Sequence, residues 1–364
     1  MKVIHFHPSP VMANIFVRPL IEFERSIAIH SSCVCPSGQA SEYFTIIPGC
    51  CFTTKNLSGV LSGIFRLFYF FKNEKPDIIV CHNSISALVP LVIGKVLGVR
   101  RIVYFNHGVP YLGYRGIIRY SLLILERLNM RFASQIITVS QSMRAVLCGL
   151  NPGGATVDIL GPGSACGIAI DNTSNYDSSE QERLRKTFDI RETDTVFLFV
   201  GRPEYRKGMH FCLNLWKHRI PERNVKLLLC GPSREDVLYA IGSCPGNVIP
   251  LGFVSDVTGW YRMVNVTMLP SLHEGLPYSV LEGLAVGKPS IVADVPGLND
   301  LITQNETGWL IDREDEDAVY RLIKDIVCDP SLASSKKESC IRFASRYSRD
   351  IVLKAYQDKV LNFS

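Results

Sequence analysis

The chain has 364 residues, of which 47% are hydrophobic and 20% are charged. That composition excludes a disordered chain, and the length fits two domains of roughly 150–200 residues. The net charge of +5 is uneven, because residues 1–170 hold 15 Lys and Arg against 7 Asp and Glu. A basic first half predicts an acidic partner, either anionic lipid headgroups or a phosphate-bearing substrate. No basic run interleaved with aromatic residues favours nucleic acid.

The twelve cysteines are distributed mainly within apolar runs, where a reduced cysteine behaves as a small hydrophobic residue. Cys33-Val34-Cys35 and Cys50-Cys51 lack the paired spacing of a zinc site, and no histidine cluster follows them. We therefore expect no structural metal and a reducing, cytoplasmic compartment. Because Met1-Lys2 lead directly into a predicted core strand, we expect no signal peptide.

Two apolar stretches, Leu57–Phe71 and Ile85–Val99, are too short and too interrupted by charge to span a bilayer. The first is followed by Lys72 and Lys75. It has two interpretations: a helix buried in its domain, or an interfacial face that docks on the inner side of the cytoplasmic membrane. The second interpretation predicts a peripheral membrane protein.

Short apolar runs bounded by Gly, Pro, Asn or Asp alternate with longer helical patterns, which is typical of α/β layers. The predicted strands of the first half are Val3–Phe6, Ile78–Cys81, Arg101–Phe105, Ile136–Val139 and Val157–Leu160. Those of the second half are Thr195–Val200, Val225–Cys230, Asn247–Pro250, Val266–Leu269 and Ser290–Val292. The pattern predicts two doubly wound, Rossmann-like lobes.

The domain boundary is predicted after the glycine-rich segment 161–167, and the polar stretch Asp171–Glu182 leads into the second lobe. We expect a first lobe at 1–167 and a second at 168–345. A last helical segment, Arg346–Phe363, follows the second sheet and is expected to pack back on the first lobe.

The most informative stretch follows the predicted strand that ends at Leu269. A loop containing Glu274 leads into a helix, with Pro277 expected as its first helical residue and Gly287 as its cap. The backbone N–H groups at the start of this helix attract diphosphate and sugar oxygens, together with the helix dipole. They belong to Gly275, Leu276, Tyr278 and Ser279. Glu282 lies about one turn inside an apolar helix, where an unpaired carboxylate is costly.

A second constellation, Gly201-Arg202-Pro-Glu-Tyr-Arg-Lys207-Gly208, follows the first strand of the second lobe. Arg202 and Lys207 are predicted to converge on one diphosphate, which Arg binds bidentately and Lys binds as a compact charge. A solvated basic loop is the alternative for this segment taken by itself.

These two motifs resemble the retaining GT-B glycosyltransferases of family four, of the type that builds bacterial O-antigen, capsule and exopolysaccharide. The likeness rests on Glu274 and Glu282 with the following Gly-Leu-Ala-x-Gly-x-Pro, and on Gly-Arg-x4-Lys-Gly. It implies two lobes facing a cleft, with the donor held by the second lobe and the acceptor by the first.

The resemblance implies a role for each matching residue. Glu282 would hold the ribose, Glu274 would face the donor sugar, and Arg202 and Lys207 would stabilise the leaving diphosphate. Phe253 and Val254 match the segment that cradles the base. Further donor-binding candidates are Gly201, His273, Gly275, Leu276, Pro277 and Tyr278.

In the first lobe the segment around His107 also resembles these enzymes, and His107 is a catalytic candidate that would donate to the sugar. A structural histidine is the alternative. His5, His7 and His82 are expected at the rim of the site, and Asn14 and Arg115 are acceptor-side candidates. The loop from His7 to Asn14 lacks the glycine pair that many family members carry.

The run Asp315-Glu316-Asp317 has the letters of a metal-binding Asp-x-Asp motif, but it precedes a predicted helix, where acidic residues complement the dipole. We expect no metal and no cofactor. The predicted partners are a nucleotide-sugar donor, with UDP preferred, and a saccharide or lipid-linked saccharide acceptor. The alternatives are a GDP-sugar-dependent transferase, a UDP-sugar epimerase of the same fold and a non-catalytic sugar-binding protein.

Overall fold

The computed structural model describes residues 1–50, 57–150, 154–170 and 178–362. Cys51, most of the predicted 171–182 linker and Phe363 lie outside these ranges. The chain divides into two units, which are Met1–Gly167 together with Arg349–Ser364 (unit 1) and Ile168–Ser348 (unit 2).

Unit 1 is built on a seven-stranded parallel sheet with the order β3-β2-β1-β4-β5-β6-β7. Its strands are β1 (Lys2–Phe6), β2 (His30–Cys35), β3 (Phe44–Ile46), β4 (Ile78–His82), β5 (Arg101–Asn106), β6 (Gln135–Thr138) and β7 (Thr156–Ile159). The helices between them are α1 (Pro10–Phe16), α2 (Arg18–Ser26), α3 (Leu57–Glu74), α4 (Ser84–Val96), α5 (Gly116–Phe132) and α6 (Gln141–Leu150).

Unit 2 has a six-stranded parallel sheet with the order β10-β9-β8-β11-β12-β13. Its strands are β8 (Thr195–Val200), β9 (Val225–Cys230), β10 (Val248–Gly252), β11 (Val266–Leu269), β12 (Ser290–Ala293) and β13 (Gly308–Ile311). Its helices are α7 (Ser178–Thr187), α8 (Met209–His218), α9 (Arg234–Ile241), α10 (Thr258–Met263), α11 (Tyr278–Ala285), α12 (Glu316–Cys328), α13 (Ser331–Ser334) and α14 (Lys337–Ser345).

The last helix, α15 (Arg349–Tyr356), belongs to unit 1 although it follows unit 2 in the chain. Its Tyr356 hydroxyl donates to Glu24 Oε1 of α2 at 2.7 Å. A π-helical turn, Gln357–Leu361, continues it, and Arg101 Nη1 donates to the Val360 carbonyl at 2.7 Å. These bonds join the end of the chain to helix α2 and strand β5 of unit 1.

The predicted fold class is confirmed, since both sheets are parallel, doubly wound and covered by helices. The prediction missed β2, β3 and β13. In the first sheet β2 and β3 lie on one side of β1, and β4 to β7 lie on the other. In the second sheet β9 and β10 lie on one side of β8, and β11 to β13 lie on the other, so the strand order reverses beside β1 and beside β8. In such sheets ligands bind beyond the carboxyl ends of the strands at this switch point.

Helix α3, which contains the first apolar stretch, has a buried face and an exposed apolar face. Val60, Leu67 and Phe71 are buried in the core of unit 1. A second row is exposed, and it consists of Leu61, Phe65 and Tyr69. Within the described ranges, no helix is long and apolar enough to cross a membrane.

Candidate functional site

In unit 2, Glu274 lies in the loop that joins β11 to α11. Its side chain is 8% exposed and accepts a hydrogen bond from Lys207 Nζ at 2.7 Å. The Ser271 hydroxyl donates to the same carboxylate oxygen at 2.8 Å. A buried carboxylate needs such donors, because its desolvation is otherwise uncompensated. The predicted basic loop and the predicted acidic loop therefore meet through an ion pair.

Glycine permits the close contact between these loops. Gly208, with φ +82°, follows Lys207, and a Cβ there would lie 2.1 Å from the Pro270 carbonyl oxygen. Gly297, with φ +86°, lies against the acidic loop, and a Cβ there would be 2.4 Å from the Gly275 carbonyl oxygen. Backbone atoms can pack this closely only where no side chain intervenes.

The two candidate phosphate ligands have different surroundings. Lys207 is held by Glu274, whereas Arg202 Nη1 pairs with Glu204 Oε1 at 2.7 Å. Glu204 also accepts from Arg206 Nε at 2.6 Å. The Arg202 side chain is 64% exposed, so its pair is weak and an anion can replace Glu204 as its partner.

Pro277 occupies the N-cap of α11, and the helix begins at Tyr278. The predicted helix start at about Tyr278 is confirmed, but Pro277 lies one position before the first helical residue, because its extended ψ of 119° places it outside the helix. Glu282 lies one turn inside and accepts from the Tyr261 hydroxyl at 3.1 Å. Burial raises the pKa of Glu282 to about 7, and the nearby Asp256 adds to this rise.

The other predicted donor residues also lie in unit 2. Phe253 follows β10 and is 89% exposed, an unusual position for a large aromatic side chain, while Val254 packs on the core of unit 2. His273 is half-buried, and its pKa is lowered by burial and then by Arg206. Leu276 is buried beneath the loop.

Unit 1 contains a line of hydrogen-bonded histidines that ends at His107. His107 Nε2 lies 2.9 Å from His82 Nδ1, and His82 Nε2 lies 3.0 Å from His5 Nδ1. His5 Nε2 lies 3.2 Å from both carboxylate oxygens of Glu24. The prediction that His5, His7 and His82 are rim residues was wrong, because His5 and His82 are fully buried and His7 is only 4% exposed.

The turn after β5 is fixed by a second buried network. Asn106 Oδ1 accepts from the Gly108 N–H at 2.9 Å, and Asn106 Nδ2 donates to Glu126 Oε1 of α5 at 2.9 Å. The Tyr104 hydroxyl also donates to Glu126 Oε1, at 2.8 Å. Burial raises the pKa of Glu126 to about 7. This network fixes the chain on both sides of His107, at the Asn106 side chain and at the Gly108 N–H.

The predicted acceptor-side residues are both exposed. Asn14 lies on α1, and its Oδ1 accepts from Arg18 at 3.5 Å. Arg115 is the N-cap of α5. The histidine site and these two residues belong to unit 1, whereas the loop pair and Glu282 belong to unit 2.

The acidic run at the start of α12 has structural roles. Asp315 caps the helix by accepting from the Ala318 N–H at 2.8 Å, and Asp317 pairs with Arg219. Among the described residues, no group of three His, Cys, Asp or Glu side chains is arranged to hold a metal ion.

Sequence reasoning missed the partners of the predicted residues. Tyr261, Glu126 and Glu24 lie at least 19 residues along the chain from the predicted residues they contact. Ser271 lies three residues before Glu274, in the same loop. An apolar helix that keeps one glutamate, as in α5 and α11, was the available signal for Glu126 and Glu282, and it was used only for Glu282. Helix α2 carries both Glu22 and Glu24, so it offered no such signal.

Comparison with known proteins identifies the class. The model "Glycosyl transferases group 1" matches residues 180–346, and "Glycosyltransferase Family 4" matches residues 28–162. The chain carries the domains of a glycosyltransferase. The first match contains all the predicted donor residues, and the second contains His107.

Relatives of the chain include proteins of polysaccharide biosynthesis. The capsular polysaccharide biosynthesis glycosyltransferase CapM of Staphylococcus aureus is 25% identical over 75% of this chain and 73% of its own length. The Escherichia coli UDP-Gal:alpha-D-GlcNAc-diphosphoundecaprenol alpha-1,3-galactosyltransferase is 21% identical, covering 100% of this chain and 98% of its own.

Solved structures share the fold. Anabaena HepE in complex with UDP has a TM-score of 0.79 at 16% identity, over 100% of both chains. Sucrose-phosphate synthase from Thermosynechococcus elongatus has a TM-score of 0.78 at 18% identity, over 98% of both chains. The GT-B architecture predicted from the sequence is thereby confirmed.

Lys207 and Glu274 are expected to show strong energetic coupling. In a double-mutant cycle of Lys207→Ala and Glu274→Ala, we predict a coupling of roughly 1–3 kcal/mol, because each single change leaves a shielded charge unpaired. All three tryptophans lie in unit 2, so tryptophan fluorescence during denaturant unfolding reports this unit.

The matched control for this cycle is Glu182–Lys186, which has the same 2.7 Å separation but side chains 67% and 76% exposed. Its coupling should stay below about 1 kcal/mol. Equal coupling in the two cycles would contradict the assigned importance of burial.

Glu282→Gln is expected to stabilise unit 2 in a pH-dependent way. The folded-state pKa of about 7 exceeds the ordinary 4.5, so the wild type loses stability as the pH rises from about 4.5 through 7. The glutamine variant should therefore gain roughly 3 kcal/mol at most at pH 8, and nothing at pH 4. Denaturant unfolding at both pH values measures this gain, with exposed Glu338→Gln as control. A gain that is equal at both pH values would refute the burial argument.

Proposed function

We propose that the chain transfers a sugar from a UDP-sugar to a lipid-diphosphate-linked saccharide, with retention of configuration, in bacterial surface polysaccharide synthesis. The observation that carries this proposal is the Lys207–Glu274 pair, which keeps a cation in a shielded loop at the carboxyl end of the second sheet. A departing diphosphate gains negative charge, and a fixed cation is most effective where water is excluded.

The donor is assigned to unit 2. Lys207 and the exposed guanidinium of Arg202 would bind the diphosphate, and Glu282 would accept hydrogen bonds from the ribose hydroxyls. The exposed ring of Phe253 and the adjacent Val254 offer a surface for the base. With two basic side chains for the leaving group, the proposed chemistry uses no metal and no cofactor.

We propose that the same residues of unit 2 support transfer with retention of the anomeric configuration. A nucleotide diphosphate would leave while the acceptor hydroxyl attacks from the same face, and the protein would supply positioning and electrostatic stabilisation. Glu274 is proposed to face the donor sugar while it is held by Lys207 and Ser271.

The choice of UDP and of the acceptor has two supports. HepE has been solved in complex with UDP-glucose, and the name of the E. coli relative specifies a UDP-Gal donor and a diphosphoundecaprenol-linked acceptor. The UDP-glucose complex belongs to HepE, and the UDP-Gal donor and lipid-linked acceptor belong to the E. coli relative. The GDP-sugar and epimerase alternatives are not favoured by the matches.

A peripheral membrane contact is proposed through α5. Its outer face exposes apolar side chains, with Ile117 81% and Tyr120 62% exposed. Arg115, Arg119 and Arg127 are exposed beside them, and the single acidic residue of the helix, Glu126, is buried. Apolar and basic side chains on one face are typical of helices that lie on an anionic bilayer.

The choice of donor is tested by measuring the thermal stability of the protein with different nucleotides and by a sugar-transfer assay. We expect stabilisation by UDP and not by GDP or ADP, and transfer only when a lipid-diphosphate-linked saccharide is added. Lys207→Ala should lower kcat by about 100-fold or more, because leaving-group stabilisation is lost, whereas exposed Lys186→Ala should not. A shift with GDP alone would overturn the donor choice, and product formed from donor alone would favour an epimerase.

The membrane contact is tested by co-sedimentation with vesicles that contain phosphatidylglycerol. Replacing Arg115, Arg119 and Arg127 together by Gln should weaken binding by about 100-fold, at about 1 kcal/mol for each charge. The control replaces three exposed arginines of unit 2, which are Arg223, Arg234 and Arg321. Equal loss in the two triple variants would mean that net charge, and not α5, governs binding.

A further inference from the structure

The line of buried histidines behind His107 has a direction that can be worked out from its hydrogen bonds. A neutral imidazole donates through one nitrogen and accepts through the other. His82 uses both nitrogens, one toward His5 and one toward His107. Burial lowers the pKa of His82 well below its usual value, so this ring stays neutral. Because the neutral His82 ring donates to one neighbour and accepts from the other, the two hydrogen bonds of the line point in the same direction.

Glu24 lies at the inner end of the line and sets that direction. Its carboxylate is fully buried, and the Tyr356 hydroxyl donates to Oε1 at 2.7 Å. Both oxygens lie 3.2 Å from His5 Nε2, and because a carboxylate can only accept, Nε2 carries a proton. We infer that this is the only ring N–H of His5, so that its Nδ1 accepts.

The same reasoning continues outward to His107. His82 must donate from Nε2 to His5, so its Nδ1 accepts from His107 Nε2–H. His107, whose pKa is lowered to about 3 chiefly by burial and then by His7, is also neutral. Its Nδ1, which makes no hydrogen bond to the described residues, is left with a lone pair at the carboxyl end of β5.

We propose that Glu24, His5 and His82 are positioning residues that lock His107 as the Nε2–H tautomer, so that His107 Nδ1 accepts a hydrogen bond from a substrate sugar hydroxyl. This inference rests on the proposed function for the identity of the substrate. The direction of this hydrogen bond is opposite to the sequence-based prediction, in which His107 donates to the sugar. Carboxylates that orient a catalytic or metal-bound histidine act on its tautomer in the same way.

The surroundings of the line favour a fixed tautomer. The His107 ring stacks on Phe105 with centroids 5.0 Å apart and planes 11° apart, so its orientation is restricted. His7 is a further titratable ring near the line, 5.9 Å from His82 and 6.2 Å from His107 between centroids. Its Nδ1 bonds within its own turn, to Ser9, and its pKa is lowered by burial to about 4. His7 therefore adds no competing charge near neutral pH.

The lock is tested by ¹⁵N NMR of the full chain labelled at histidine, which distinguishes Nδ1–H from Nε2–H rings. We expect the Nε2–H form at His5, His82 and His107 in the wild type at pH 7.5. An Nδ1–H or mixed signal at His107 would overturn the proposal. This measurement needs no variant and no activity.

The consequence is tested with Glu24→Gln. We expect loss of the single tautomer at His107 and a fall in transfer kcat/KM of at least about tenfold, as for other residues that orient a histidine. The thermal shift by UDP should be retained, because the proposed donor site is in unit 2. The matched control is Glu22→Gln on the same helix, an exposed residue paired with Arg18, which should change neither readout.

The outcomes separate this inference from the proposed function. Unchanged tautomer and unchanged kcat/KM in Glu24→Gln would overturn the lock. A wild type that shows the predicted tautomers but transfers no sugar would overturn the proposed function and leave the lock intact.

Discussion

A carboxylate that is buried away from water must accept hydrogen bonds from the protein to offset its lost hydration, and this constraint organises the polar interior of both units. Glu274 accepts hydrogen bonds from Lys207 and Ser271, whereas Glu24 accepts hydrogen bonds from Tyr356 and His5. Each set joins segments that are distant in the chain, by 67 residues in the first case and 332 in the second. The loops that carry charge are therefore fixed by the fold, and their geometry is set before a substrate arrives.

Hydrophobic patterning was sufficient for the strands with a continuous apolar run. Thr195–Val200 and Val225–Cys230 were placed at their exact limits, because strands buried on both faces need such runs. Strand β2 was missed because its sequence, His-Ser-Ser-Cys-Val-Cys, reaches the same burial with small polar residues and cysteine. Strand β3 is a three-residue, half-buried edge, too short to show a period. Strand β13 begins at a glycine and lies at the edge of its sheet, so it lacks the continuous β-branched run of the central strands.

The site was predictable where its residues are contiguous. Glu274 and Glu282 were found because one strand-loop-helix segment carries both. Their partners could not be found in this way, since Lys207 and Tyr261 reach them only through the packing of separate elements. The inner histidines were misplaced for a related reason. A histidine at the end of a strand has the same sequence signature whether it faces solvent or is buried between two partners, and only the partners decide.

The carboxylate of Glu282 is the most direct test of the nucleotide site. Its pKa is about 7 in the free protein, and ribose hydroxyls would bind the ionised form, so binding must expel the proton. Calorimetric titration with UDP in buffers of different ionisation enthalpy measures that proton. At pH 6 the wild type should release about one proton more than Glu282→Gln, and at pH 8.5 the difference should vanish. Equal proton release by the two proteins at pH 6, with UDP bound equally well, would contradict the account.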